Sequence, residues 1–162
     1  MQNVETNKRI FLNRWFLAMI AIGSIALACS ISAVHVFHLK PCVMCKLQRI
    51  PFALLIVNAG FGLLSSYKQD FFKVTQVCSA LGIILGMGHF LMQMGALPDF
   101  CTSKRGFDTA QEFSMMLKTS KCSDIAWSIF GVPVSLLNAM LHTLVLGFGY
   151  RFSWKKGLMG AL

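Results

Sequence analysis

Charge is what this sequence lacks most. Lys, Arg, Asp and Glu make up 13% of its 162 residues, where an ordinary soluble domain carries about 25%. That shortage, beside 56% hydrophobic residues, argues against a water-facing globule and for a bilayer. Acids are the scarcer sign, six against fifteen Lys and Arg, which leaves a net charge of +9. Nucleic acid is not the expected counter-charge. The chain has no aromatic-and-basic single-strand motif and no recognition helix, and its charges fall between apolar runs, where lipid headgroups lie. Two further absences narrow the chemistry. The C-x-x-C from Cys42 to Cys45 is followed by Lys46 rather than His, which disfavours c-type haem attachment. Cys101 and Cys122 do not form a second C-x-x-C, which disfavours a four-cysteine zinc site.

Four stretches are free of Lys, Arg, Asp and Glu: 15–37, 50–67, 74–97 and 127–150. About 20 apolar residues cross a hydrocarbon core. The four runs therefore predict an all-α membrane protein, a four-transmembrane-helix bundle forming one membrane domain over 1–162. The first run is longer than the roughly 7–15 residues of a signal-peptide core and reads as a span rather than a cleaved leader. The short link "SSYKQD" makes the second and third spans antiparallel neighbours. "GIILG", Gly82 to Gly86, offers a small surface for close helix approach. In the second outer loop, "DTAQEFSMMLK", Asp108 to Lys118, has capping-box spacing at Thr109 and Glu112 and predicts a short amphipathic helix.

Four spans put both termini on one side. Positive charge hardly discriminates, with eight Lys and Arg on the terminal side and seven on the loop side. The cysteines discriminate better. Cys42, Cys45, Cys101 and Cys122 all fall in the two loops of one face, and disulfides persist in oxidising compartments and are rare in the cytosol. The loops are therefore expected outside and the termini in the cytoplasm.

A bridge between cysteines three apart closes a small ring and is exchange-competent. Lys40, Lys46 and Arg49 flank the pair and favour thiolate, the form that attacks and leaves in exchange. A zinc site and purely structural disulfides stay open on these residues alone.

The order of motifs adds a resemblance. "PCVMCKLQR" comes first, then His89 and Gln93 as H-x-x-x-Q, the pair Cys101 and Cys122, Trp127, and Gly131-x-Pro133. Over nearly the whole chain this resembles the disulfide bond formation protein B family. The sequence departs at Gly88, where the family often has Arg, and at Leu91, where it often has Trp. "FGVPVSLLN" is also similar to the vitamin K epoxide reductase family, but there the C-x-x-C comes late in the chain.

The first resemblance implies a bacterial inner-membrane thiol-disulfide oxidoreductase. Its redox disulfides would be Cys42–Cys45 and Cys101–Cys122. A periplasmic thioredoxin-fold disulfide oxidase would be reoxidised at Cys101–Cys122. Electrons would pass to Cys42–Cys45 and then to a quinone, ubiquinone or menaquinone, beside Arg49 and His89. No metal and no nucleic acid are expected. Asn58 and Asn138 are read as hydrogen bonds between helices, Cys29 and Cys78 as buried small apolar residues, and His35 and His38 as interfacial. His142 has no partner legible in sequence.

Overall fold

The computed structural model describes residues 2–99, 101 and 121–155. Its helices are α1 (Gln2–His35), α2 (Val43–Leu47), α3 (Arg49–Leu64), α4 (Lys68–Gln93) and α5 (Val134–Lys155). A two-residue hairpin, β1 (Ser128–Ile129) and β2 (Val132–Pro133), precedes α5. The architecture is otherwise helical. Among the described residues, three helical segments are long and apolar enough to cross a membrane: Glu5–His35, Val43–Leu64 and Lys68–Gln93. The expected fourth span corresponds to α5, which carries Asn138, His142 and Arg151 and is not one of the three. The amphipathic helix expected over 108–118 lies outside the described residues.

Helix ends follow local chemistry. Pro51 sits in the first turn of α3. It has no N–H for the carbonyl of Leu47, and its ring crowds that carbonyl. That one bond is missing at Gln48, but Gln48 keeps helical backbone and its N–H bonds to Met44 O at 3.0 Å, so α2 runs on into α3. Lys68 Nζ donates to the carbonyls of Gly62 (3.0 Å) and Leu63 (2.8 Å), closing the C-terminus of α3. That clamp tightens the expected antiparallel turn. α4 ends where Gly95 takes φ +73. Ala96 N–H donates to Leu91 O and Gly95 N–H to Met92 O, the Schellman arrangement. The last apolar run becomes helical only at Val134. Phe130 and Gly131 have φ +51 and +79, which turns the chain into the hairpin.

Small residues let the helices close. Gly62 of α3 lies against the Phe16 ring of α1, and Gly86 of α4 against the backbone of Ala139 in α5. The Gly82–Gly86 surface thus serves the expected close approach. Phe11 and Phe152 stack at 4.1 Å, so α5 returns to α1 and the bundle closes. Leu12, Trp15, Phe16, Met19, Ala59, Phe72 and Val145 form the core at the end bearing the termini. Large apolar side chains such as Leu17, Val57, Phe61, Val77, Ile84 and Phe148 cover the outside, a surface suited to lipid and costly in water. The cysteine pairs sit at the opposite end.

Candidate active site

Cys42 is the N-cap of α2, with extended backbone at ψ 173, and its sulfur accepts from the backbone N–H of Cys45 at 3.2 Å. The turn places the two sulfurs 2.9 Å apart, with Cys42 Sγ donating to Cys45 Sγ. Both are free thiols. Sharing a proton with Cys45, and then burial, push the Cys42 thiol up to about 12, while the contact with His89 works the other way. Cys42 is therefore the proton-bearing sulfur of the pair.

Cys101 and Cys122 are disulfide-bonded, with Cα atoms 5.8 Å apart. Asp99 clamps the base of this bridge. One carboxylate oxygen accepts from Cys101 N–H at 2.9 Å and the other from Ser123 N–H at 3.2 Å. The bridge removes two of the thiolates that a four-cysteine metal site would need. Cys122 is fully buried while Cys101 is partly exposed. The two pairs belong to one apolar cluster. Cys42, Cys122 and Met92 form its buried heart, with Met44, Cys45 and Cys101 packed on it.

Below Cys42 lies a buried polar chain. His89 Nε2 is 3.5 Å from Cys42 Sγ, and His89 Nδ1 is 3.0 Å from Gln48 Nε2. Gln48 Nε2 also donates to Leu85 O at 3.3 Å, and Gln48 Oε1 accepts from Asn138 Nδ2 at 3.1 Å. Gln93 continues the chain, taking a hydrogen bond from Ser135 Oγ and donating to Asp124 O. Gln48 is 7% and His89 2% exposed, so these partners offset a desolvation cost that each would otherwise bear.

A cavity of about 290 Å³ opens beside the C-x-x-C. Ala26, Ala33, Phe52, Trp127, Val134 and Leu141 make its walls apolar, and Cys45, Arg49, His89 and Gln93 supply its polar end. Arg49 is held by α1. Its Nε donates to Ser30 Oγ at 2.9 Å and its Nη2 to Ser30 O at 3.2 Å. Cys42, Cys45 and His89 offer three atoms within 4.8 Å of one another that could ligate a metal.

All six residues expected at the site thus converge on one end of the bundle. Sequence reasoning singled out neither Ser30, Asp99 nor Ser135, and it treated Gln48 and Gln93 only as motif letters. Asp99 alone had a local signal, an Asp two residues before a loop cysteine. Asn138 bonds across helices as expected, and Asn58 does so through Phe71 O and Thr75 Oγ1. Cys78 is buried as expected. Cys29 is not. It is exposed and lines the cavity, because its face of α1 turns toward the gap above Phe52 rather than into a helix contact. His142 is fully buried, with its ring stacked on Phe52 at 4.6 Å.

Comparison with known proteins gives the chain's relatives. The family described as disulfide bond formation protein DsbB matches residues 12–150. Disulfide bond formation protein B of Psychromonas ingrahamii is 28% identical over 153 residues, covering 85% of this chain and 82% of that protein. The SPbeta prophage-derived disulfide bond formation protein B of Bacillus subtilis is 24% identical over 155 residues, covering 95% and 92%. The Polaromonas naphthalenivorans protein of the same name is 28% identical over 145 residues, covering 78% and 85%. No solved structure matches. With two cysteine pairs in one cluster at the end of an apolar helical bundle, and a family match across 12–150, this chain belongs to the disulfide bond formation protein B family.

Proposed function

We propose that this membrane disulfide oxidoreductase relays electrons from a periplasmic thioredoxin-fold disulfide oxidase, through Cys101–Cys122 and then Cys42–Cys45, to a quinone in the cavity. The observation that carries the reading is the shared cluster of the two pairs, with the cavity on the far side of Cys45. A soluble protein and a lipid-borne carrier cannot reach one sulfur pair at once, so two pairs in exchange meet the need.

Cys101 is the sulfur the partner attacks, because Cys122 is the buried one. The partner's thiolate bonds to Cys101, and Cys122 leaves as thiolate. The partner's second thiol then displaces Cys101, completing the partner's disulfide and leaving Cys101 and Cys122 reduced. The Cys122 thiolate attacks Cys42 of the oxidised Cys42–Cys45 pair, and Cys45 leaves with negative charge. Cys101 attacks Cys122, which re-forms Cys101–Cys122 and returns Cys42 as thiol. The net transfer to the inner pair is two electrons and two protons.

The cavity fits a quinone ring on chemical grounds. Its walls are apolar, while Arg49 brings N–H groups, and His89 a ring edge, to the end that Cys45 lines. A bound quinone, ubiquinone or menaquinone, would accept the two electrons and two protons of the inner dithiol. Arg49 would place a cation beside the Cys45 thiolate and beside charge developing on the acceptor.

The reading includes a bacterial inner-membrane location, four crossings with α5 as the fourth, periplasmic cysteine loops and cytoplasmic termini. It is supported by cysteines gathered at one end of the bundle and by the close seating of α5 on α4 at Gly86. The test is trapping. A thioredoxin-fold partner lacking its second active-site cysteine is expected to form a mixed disulfide at Cys101. Alkylation in cells lacking respiratory quinone is expected to find Cys42 and Cys45 reduced. A mixed disulfide mapped to Cys45, or an inner pair that stays oxidised without quinone, would refute the order.

A further inference from the structure

Gln48 has no role in the relay just described, yet it is buried between α4 and α5 with each polar atom engaged. Its orientation can be fixed without reference to hydrogens. Leu85 O is a carbonyl and can only accept, so the Gln48 atom 3.3 Å from it is the amide nitrogen. Gln48 Oε1 then faces Asn138 Nδ2. The same Gln48 nitrogen lies 3.0 Å from His89 Nδ1, so Nδ1 must present its lone pair. An imidazole that accepts at Nδ1 carries its proton at Nε2. His89 Nε2 is the atom 3.5 Å from Cys42 Sγ.

A competing contact has to be weighed. Gln93 Nε2 is also 3.5 Å from His89 Nε2, and two amides donating to both ring nitrogens would leave the ring with no proton. The Gln48 contact is shorter by half an ångström and reinforced by Leu85 O. Gln93 has another acceptor in Asp124 O. Gln48 therefore sets the tautomer, and Gln93 does not.

We infer that Gln48, steadied by Asn138, is a positioning residue that locks His89 as the Nε2–H tautomer aimed at Cys42, making His89 a hydrogen-bond donor to that sulfur rather than a base. The chain runs in one direction, from Asn138 N–H to Gln48, from Gln48 N–H to His89, and from His89 N–H to sulfur, so each bond polarises the next. The donor helps Cys42 bear negative charge without holding its proton. It also makes Cys42, Cys45 and His89 a poor metal site, since a ligating Nε2 must offer a lone pair. The consequence for turnover rests on the electron relay proposed above. The tautomer does not.

The test uses the full-length reduced protein in lipid nanodiscs with ¹⁵N-labelled histidine. The His89 signals, assigned against His89→Gln, are expected to show Nε2–H. In Gln48→Glu a carboxylate replaces the amide donor and accepts from Nδ1, so the signals should switch to Nδ1–H. Nε2 is then free to ligate, and Zn²⁺ alone should bind the reduced Gln48→Glu protein at least about tenfold more tightly than the wild type. Partner oxidation by Gln48→Glu should fall about tenfold in kcat, as expected for one hydrogen bond to a charged group. Wild-type protein showing Nδ1–H overturns the assignment by itself, whether or not the variant folds. An unchanged tautomer in folded Gln48→Glu overturns it too. If turnover proves independent of quinone while the tautomer is as assigned, the relay fails and the positioning role stands.

Discussion

Replacing Arg49 with Ala removes a cation that is already built into its place. The guanidinium spends Nε and Nη2 on Ser30, so its geometry is fixed before any ligand arrives. Such fixed donors act most strongly where charge develops during reaction. A hydrogen bond to a charged group is worth about 1.5–3 kcal/mol, and each 1.4 kcal/mol is about tenfold in rate. Arg49→Ala should therefore lower quinone-dependent reoxidation by a factor of about ten to a hundred. The fold should survive, because the residue is only half-buried and both of its bonds go to one residue of α1. Exchange at Cys101–Cys122 should also survive. Arg49→Lys separates charge from shape, since Lys keeps the cation but cannot span both Ser30 acceptors from a planar fork. It should fall between wild type and Ala. The assay is partner oxidation by purified variants across a quinone titration, with partner trapping at Cys101 as the control. A quinone dependence unchanged in Arg49→Ala would reduce this residue to a headgroup anchor and remove the cavity from the relay.

Three further outcomes follow from the geometry. In Gly86→Ala the new Cβ would stand 2.9 Å from the Ala139 backbone nitrogen, whereas Gly88 faces nothing within 4 Å. Thermal unfolding in detergent should show a loss of about 1–3 kcal/mol for Gly86→Ala and none for Gly88→Ala; equal effects would refute the α4–α5 contact. Asp99→Ala removes two hydrogen bonds at the base of the outer disulfide, about 2 kcal/mol in all. The bridge should then be more easily reduced by about 40 mV in a glutathione titration of a Cys42→Ser, Cys45→Ser background, and an unchanged potential would show the clamp to be indifferent to redox state. A thiol raised to about 12 stays protonated below that pH. Brief alkylation of the reduced protein at pH 8 should thus spare Cys42, whose thiolate fraction is about one in ten thousand, and its labelling should climb with pH well beyond 9. Labelling of Cys42 that levels off near pH 9 would refute the shared proton.

Much of the architecture was legible because a bilayer imposes its own arithmetic. Uncharged runs of 18 or more residues show where helices must be, and α1, α3 and α4 lie where those runs fall. The ends were less legible. α1 begins well before Trp15, since a basic segment outside lipid can remain helical. The 127–150 run starts with a hairpin, because Phe130 and Gly131 reverse the chain before Val134. Cys42, Cys45, Cys101 and Cys122 were readable as a set because thiol chemistry depends on residue type and compartment. Ser30, Asp99 and Ser135 were not, because Ser and Asp occur in any loop or helix and their roles depend on what another segment brings within 3 Å. The exposure of Cys29 is hidden from the sequence for a related reason. Hydrophobicity places a cysteine in a span but does not say which face of the helix it occupies.

The junction at Gln48 ties these strands together. Gln48 keeps helical backbone, with φ −64 and ψ −14, and its N–H bonds to Met44 O at 3.0 Å, so α2 runs into α3 and only the bond that Pro51 cannot donate is missing. Successive residues of a helix point about 100° apart, which is why Gln48 and Arg49 face different helices. Gln48 joins the polar chain between α4 and α5, and Arg49 reaches across to Ser30 on α1 at the cavity wall. At the start of the same segment Cys42, the N-cap, sets its sulfur beside His89, while Cys45 lines the cavity. The helical turns from Cys42 to Arg49 thus divide the site into a sulfur-holding side and a cavity side.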